Sequence, residues 1–339
     1  MTAGGRRGAA GFAVAGLLLL ALVVTALSVG RYPLTPPQLG ALLWSKVSGR
    51  AHGLPATAEV VVFRVRGPRV LAAMAVGAAL AAAGSAYQGL FRNPLVSPDI
   101  LGVSSGAALG AVLGIYLSLG VAAIQGLAFA VGLGAVAMVY LIAAMLRRHE
   151  ATLVLVLAGI VIGTLLGSCV SLIKYLADPY NQLPAMTFWL LGSLAAITPA
   201  DLLTVLPGVA IGLGPLVLLR WRMNVMTLGE EEAQALGVDT GRLRLVVVSA
   251  ATLMTATVVA VSGVIGWVGL LVPHLARLLV GPDFRRLLPG AMLLGAAYLL
   301  AIDTLARTMA RIEIPLGVLT AVVGTPFFIW LLATTRRAT

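Results

Sequence analysis

Stretches free of charged side chains recur along the chain at 8–30, 70–91, 100–146, 151–173, 202–219, 245–276, 287–302 and 314–335. About 20 apolar residues wound at 1.5 Å each cross roughly 30 Å of hydrocarbon, so most of these runs predict one membrane span apiece. Two are too long for one helix. Run 100–146 predicts a pair with a turn at Gly120 or Gln125-Gly126, and run 245–276 predicts two short helices broken around Ser262-Gly263 and by Pro273. The pattern gives about ten transmembrane helices in a single all-α domain, 1–339.

The polar intervals differ in character. Segment 31–69 carries Pro33, Pro36, Pro37 and Pro55, which oppose regular helix, and reads as an external loop. Between 176 and 200, the stretch Met186 to Ala196 is apolar but too short to span. It predicts a short outer helix over 183–197 with Trp189 at interfacial depth, the alternative being a packed loop. Gly102, Gly106, Gly110 and Gly114 recur every four residues, as do Gly159, Gly163 and Gly167. Such stripes let two backbones approach, and packing within one subunit is a simpler reading than a dimer seam.

Only 10% of the residues are charged and 60% are hydrophobic. A soluble domain carries about 25% charged residues, because its surface must be wetted. That shortage excludes a soluble enzyme, a nucleic-acid-binding domain and a disordered chain. The net charge of +11 comes from arginines at the ends of apolar runs, where the positive-inside rule collects them. With the N-terminus inside, Arg6, Arg7, Arg92, Arg147, Arg148, Arg220, Arg222, Arg242, Arg244, Arg277, Arg285, Arg286, Arg336 and Arg337 fall on cytoplasmic segments. The opposite side holds Arg31, Lys46, Arg50, Arg64, Arg66 and Arg69 in its one long segment, and only Lys174, Arg307 and Arg311 elsewhere. Both termini are therefore expected in the cytoplasm. Arg6 and Arg7 ahead of the first run, with Ala26 and Ser28 after it, also fit a signal peptide, but the run is long enough to be helix one.

No catalytic set is legible. Neither Lys46 nor Lys174 follows a phosphate-cradling glycine loop, and HExxH is missing. Cys169 stands alone in an apolar run as a small core residue, and His52, His149 and His274 lie too far apart in sequence to suggest a metal site. The informative hydrophilic stretch is the segment 222–242. Within it Thr227 and Glu230 have capping-box spacing, Glu230, Glu231 and Glu232 fill a first turn, and Gly237 stands where a helix closes. This predicts a two-turn helix outside the bilayer, with Ala233 and Leu236 as a small apolar face needing something to pack on. Asp303 and Arg307, four residues apart, can pair on one helix face. Arg66 and Arg69 flank Pro68 at the start of a span, where snorkelling anchors are common.

Several blocks together resemble the FecCD-type permeases, the membrane subunits of ABC importers for iron-siderophores, haem and cobalamin. They are Ala83-Gly84-Ser85-Ala86-Tyr87-Gln88 running on through Arg92-Asn93-Pro94-Leu95, Pro98 and Leu101-Gly102; Arg66-Gly67-Pro68-Arg69; Leu228-Gly229-Glu230-Glu231 with Leu236-Gly237; Gly263 to Gly269 with Pro273-His274 and Arg277; and Glu313-Ile314-Pro315 with Gly317, Thr320-Ala321, Gly324 and Pro326-Phe327. The resemblance implies the type II ABC importer permease fold of ten helices. It implies a second permease subunit, two ATP-binding subunits that carry the ATP and Mg, an extracytoplasmic substrate-binding protein, and no cofactor or enzymatic activity in this chain. It assigns ATPase coupling to Glu230, Glu231, Glu232, Ala233, Leu236 and Gly237, and docking of the binding protein to outward-facing Arg66, Arg69 and Arg307. Gly67 departs from the usual Arg-Leu-Pro-Arg. Helices at about 152–175 and 314–335 are implied to line the route of a metal chelate, foremost an iron(III)-siderophore, with haem and cobalamin as alternatives. A gradient-driven transporter is the reading from another class, but it needs ionisable residues at mid-membrane, and Asp303 and Lys174 lie near helix ends. An intramembrane enzyme lacks a nucleophile–base set.

Overall fold

A computed structural model describes residues 3–49, 51, 53–146 and 151–335. Expectations resting on Arg50, His52, Arg147, Arg148, His149, Arg336 and Arg337, or on the side chains of Arg6 and Arg7, fall outside the described residues. The described chain is helical, without strands: α1 (Ala3–Ser28), α2 (Pro36–Ser48), α3 (Ala56–Val60), α4 (Gly67–Leu90), α5 (Val103–Tyr116), α6 (Val121–Met145), α7 (Ala151–Leu176), α8 (Gln182–Leu191), α9 (Pro199–Leu218), α10 (Arg220–Met226), α11 (Glu230–Ala235), α12 (Thr240–Ser262), α13 (Val268–Val280), α14 (Phe284–Thr308) and α15 (Leu316–Thr335). Among the described residues, seven helices are long and apolar enough to cross a membrane: α1, the continuous stretch Ala56–Leu90, α6, α7, α9, α12 and α14. Shorter apolar helices, Val103–Tyr116, Val268–Val280 and Leu316–Ile329, occupy the places of the other three predicted spans.

The boundaries refine the sequence reading. Run 100–146 breaks at Leu117–Gly120, whereas Gln125 and Gly126 lie inside α6. Run 245–276 breaks at Gly263, whose φ of 69° suits glycine. Pro273 does not break it. It sits inside α13, as prolines do in membrane helices where neighbours meet the freed backbone groups. Segment 31–69 is not an irregular loop. Pro36 and Pro37 open α2, where a missing N–H costs nothing, and Thr35 with Gln38 forms a capping box. The outer helix α8 ends at Leu191, sooner than the predicted 183–197, and Trp189 is partly buried against the cluster of Ala107, Ala111, Ala128, Val259 and Ala260.

Helix α4 is the spine. From Val70 to Leu90 it is buried almost throughout, with α12, α13, α14 and α9 around it. Its crossings use glycine because there is no room for Cβ. Gly77 meets the backbone of Gly295 in α14, and Gly84 meets that of Gly269 in α13. The block that carries the family resemblance is thus largely packing chemistry. Ser85 Oγ donates to the Ala81 carbonyl at 2.9 Å, the hydroxyls of Tyr87 and Thr252 lie 3.1 Å apart, and Gln88 Nε2 donates to the Leu270 carbonyl at 3.0 Å. The glycine stripe of α5 works the same way against α6: a Cβ on Gly106 would lie 2.6 Å from the Val131 carbonyl. Of the α7 stripe, Gly159 is pressed on Ile100 and Leu101, while Gly167 meets nothing.

Ahead of α4 lies a π-helical turn, Val61–Arg66. Pro68 has no N–H to give the helix, and the Gly67 N–H reaches five residues back to the Val62 carbonyl. Helix from Ala56 to Leu90 is 35 residues, about 52 Å by rise per residue, and so overshoots the hydrocarbon.

Candidate coupling helix and arginine rim

Glycine sets both ends of α11. Gly229, at φ 145°, is the N-cap, and Gly237, at φ 80°, follows the last turn. The Gly237 N–H donates to the Gln234 carbonyl and the Val238 N–H to that of Ala233, both at 2.9 Å, which is the Schellman arrangement. Gly237 therefore closes the helix where the sequence places it. Thr227 is not the cap. Its hydroxyl donates to the Asn224 carbonyl at 2.6 Å, because α10 runs on to Met226 and leaves Thr227 at its C-terminal end.

The three glutamates separate into two kinds. Glu230 turns back to the bundle: its carboxylate accepts from Arg244 Nη2 at 2.8 Å and from Thr240 Oγ1 at 3.0 Å, and Gln234 Nε2 donates to the same Thr240 hydroxyl. Arg244 is buried in the first turns of α12, so this pair ties α11 to a helix that is itself mostly buried. Glu231 and Glu232 are exposed. Ala233 and Leu236 do not share a face as the sequence suggested. Ala233 is wholly buried in the main core, while Leu236 is 57% exposed. What the sequence reading missed is the second tether beside α11. Asn224 of α10 donates to Asp283 Oδ1 at 2.6 Å and accepts the Phe284 N–H at 2.7 Å, joining α10 to the start of α14. The Asn224 amide, together with the Arg285 N–H, holds the Asp283 carboxyl below the ordinary carboxylate range.

The other predicted cluster lies at the opposite end of α4, whose last turn meets Met223 of α10 through Gly89. Arg66, Arg69 and Arg307 were expected to point outward. All three turn inward. Arg66 is 6% exposed and donates to the carbonyls of Leu27 and Tyr32 at 2.7 Å and Ser28 at 3.3 Å, capping the end of α1. Arg307 donates to Val29 O at 3.0 Å and to Ala26 O. Four carbonyl groups at a helix end have no partner within the helix, and these guanidinium groups supply one. Arg69 forks onto Asp303, with Nε to Oδ1 at 3.0 Å and Nη2 to Oδ1 at 2.8 Å, and also pairs with Glu313. Asp303 therefore belongs to Arg69 and not, as the four-residue spacing suggested, chiefly to Arg307, whose Nε is 3.8 Å away. Of this group Glu313 alone keeps a sizeable exposed side chain, at 29%. Among the described residues, the exposed arginines of this rim are Arg31, Arg64 and Arg311.

Helices α7 and α15 are among those that leave broad apolar faces uncovered. On α7 these are Leu153, Leu157, Ile160, Val161, Leu165 and Leu172; on α15, Val318, Val322, Val323 and Ile329. The hydroxyls of Thr164, Ser168 and Ser171 on α7 are turned onto their own helix carbonyls. Beside α15 stands Trp267, at φ 71°, a rare conformation for a bulky residue. Its ring meets Phe328 edge-on at 6.3 Å and lies against Gly324, so it fixes α15 relative to α13. Nothing in the sequence signals that backbone angle.

Residues 18–334 match the FecCD transport family. The chain is 41% identical to the molybdate import system permease protein MolB of Haemophilus influenzae, over 92% of each chain. It is 38% identical to the cobalamin import system permease protein BtuC of Halobacterium salinarum over 96% of each, and 43% identical to the hemin transport system permease protein HmuU of Yersinia pestis over 80% of this chain and 83% of that one. Among solved structures, an inward-facing metal-chelate type ABC transporter superposes with a TM-score of 0.85 at 38% identity, covering 94% of this chain and 97% of the other.

Proposed function

The chain belongs to the FecCD transport family of multi-pass ABC importer permeases, and from that premise we propose that it carries an iron(III)-siderophore inward by ATP-driven alternating access. It acts as one of two permease subunits, with two ATP-binding subunits on the cytoplasmic side and an extracytoplasmic binding protein on the arginine rim. It sits in the cell membrane with both termini cytoplasmic, and ATP and Mg are bound only by the partner ATPase. Relatives are named for molybdate, cobalamin and hemin, so family membership alone does not choose the cargo.

The observation that carries the reading is α11. A six-residue helix is too short to persist alone, and here it is capped at both ends, tied by Glu230 to α12, and leaves Glu231, Glu232 and Leu236 facing away from the bundle. That is a handle: a partner grips the free face and the ion pair passes the movement to α12. A near-complete swing between two states takes about 5.5 kcal/mol of differential binding, which ATP and the docked partner supply through such a handle. On the rim, an acidic group from the binding protein reaches Arg69 by exchange with Glu313, while Arg66 and Arg307 hold the helix end that presents it. The uncovered faces of α7 and α15 line the route. Their apolar surface favours a bulky chelate over a bare anion, which needs hydrogen-bond donors once stripped of water.

The test is co-reconstitution of the permease with its ATPase and binding protein, supplied in turn with iron-siderophores, haem, cobalamin and molybdate. Concentrative, ATP-dependent uptake of an iron chelate is expected. Uptake by the permease alone overturns the importer reading, and uptake of another cargo only overturns the substrate.

A further inference from the structure

Helix α2 has apolar side chains on two faces, and the fold uses one. Leu39 and Leu42 are buried with Leu34, Ala58 and Val62 in a small cluster that also takes in Val24 and Leu27 of α1. The second face is Gly40, Leu43, Trp44 and Val47, the i, i+3, i+4, i+7 stripe of an amphipathic helix. Its side chains stand free: Leu43 is 44% exposed, Trp44 63% and Val47 82%.

Three observations say what covers that stripe. First, Val24 and Leu27 belong to the last turns of α1, so α2 lies beside the end of a membrane span and not beyond it. Secondly, α1 already presents an uncovered apolar side, including Val14 and Leu18, that Val29 just past its end continues towards the turn leading into α2. Thirdly, α2 contains no carboxylate, and its lysine is engaged elsewhere: Lys46 Nζ lies 3.4 Å from Glu59 and 5.4 Å from the centre of the Phe63 ring. A tryptophan between aliphatic neighbours on an otherwise uncharged stripe is the composition that settles at headgroup depth.

We propose that α2 lies flat in the membrane–water interface at the arginine end of the bundle, with Leu43, Trp44 and Val47 inserted at the boundary of headgroups and acyl chains. It pins the segment between α1 and the spine to the bilayer surface. The inference rests on the membrane reading above but not on which end of the bundle faces out.

The test uses the permease assembled with its ATPase in nanodiscs of phosphatidylethanolamine and phosphatidylglycerol, in a Cys169→Ser background. Spin labels are placed at Val47→Cys on the stripe and at Ala41→Cys, an exposed position one residue round the helix from it. Collision with oxygen relative to a water-soluble nickel chelate is expected to be several-fold higher at position 47 than at 41. Equal ratios, with nickel reaching both, overturn the proposal. Protection of position 47 that appears only when the binding protein is added also overturns it, assigning the stripe to a protein partner. Labelling of Arg31→Cys by an impermeant maleimide reads sidedness separately, so an inverted topology is distinguishable from a stripe that does not insert.

Discussion

At the arginine rim every charge the sequence brought forward is spent inside the chain. Arg66 and Arg307 cap α1, and Arg69 is divided between Asp303 and Glu313. At α11 the division is different, since Glu230 is tied to Arg244 while Glu231 and Glu232 remain in solvent. The rim is held by buried ions joining three separate parts of the chain; α11 is held by one ion pair and two glycine-set ends. The contrast teaches that identical residue types near a membrane surface do two jobs. Desolvated charges fix geometry and become costly when orphaned. Solvated charges contribute little to stability and are available to a partner.

Four experiments probe that contrast. Arg69→Met leaves Asp303 buried without its cation, and a loss of about 3–5 kcal/mol is expected, read as a large fall in the thermal midpoint in detergent. If the midpoint hardly moves, the rim is not held by ions. Next, Glu230→Gln removes a charge-assisted bond to Arg244 worth about 1.5–3 kcal/mol. The expected signature is ATPase activity that persists while uptake falls, with partial recovery in the swapped pair Glu230→Arg, Arg244→Glu. A swap that recovers nothing shows that local packing, not the pair, carries the effect. The double variant Glu231→Lys, Glu232→Lys should shift stability by less than about 0.5 kcal/mol, as exposed charges do, yet abolish ATP-coupled uptake. Normal transport in that variant removes the handle from α11. The smallest effect concerns Asp283, whose carboxyl is depressed in the fold by the Asn224 bond. A group of this sign stabilises above its unfolded pKa of about 3.9 and loses that contribution as pH falls through its folded value. Wild type should therefore lose stability relative to Asp283→Asn as acidity rises below about pH 4, and parallel melting curves across that range break the assignment.

Much of this architecture is legible in the linear order. The eight apolar runs and the ten helices read from them, the break at Gly263 and the closing role of Gly237 follow from period and turn chemistry, which act over a few residues. The glycines at 77 and 84 carry the tightest crossings, and their place in an uncharged run gives the helix but not its neighbour. What stays hidden is pairing at long range. Asp303 lies 234 residues from Arg69, and the local alternative, Arg307 one turn away, is the one that spacing proposes. Which glutamate of three turns inward depends on where Arg244 arrives, a matter of how α12 is set beside α11. Pro36 and Pro37 mislead in the other direction, because proline forbids a helix interior and favours its first turn.

The π-helical turn at Val61–Arg66 acts as a phase slip in an otherwise continuous rod. One extra residue is wound into it, and a residue of α-helix corresponds to about 100° of rotation. Deleting one residue there would straighten the rod and swing everything before it by roughly that angle about the spine. Ala58 and Val62 would leave the cluster they share with α2, and the end of α1 would lose alignment with the guanidinium that seats it. The slip is a clutch that sets which way the whole arginine end of the bundle faces.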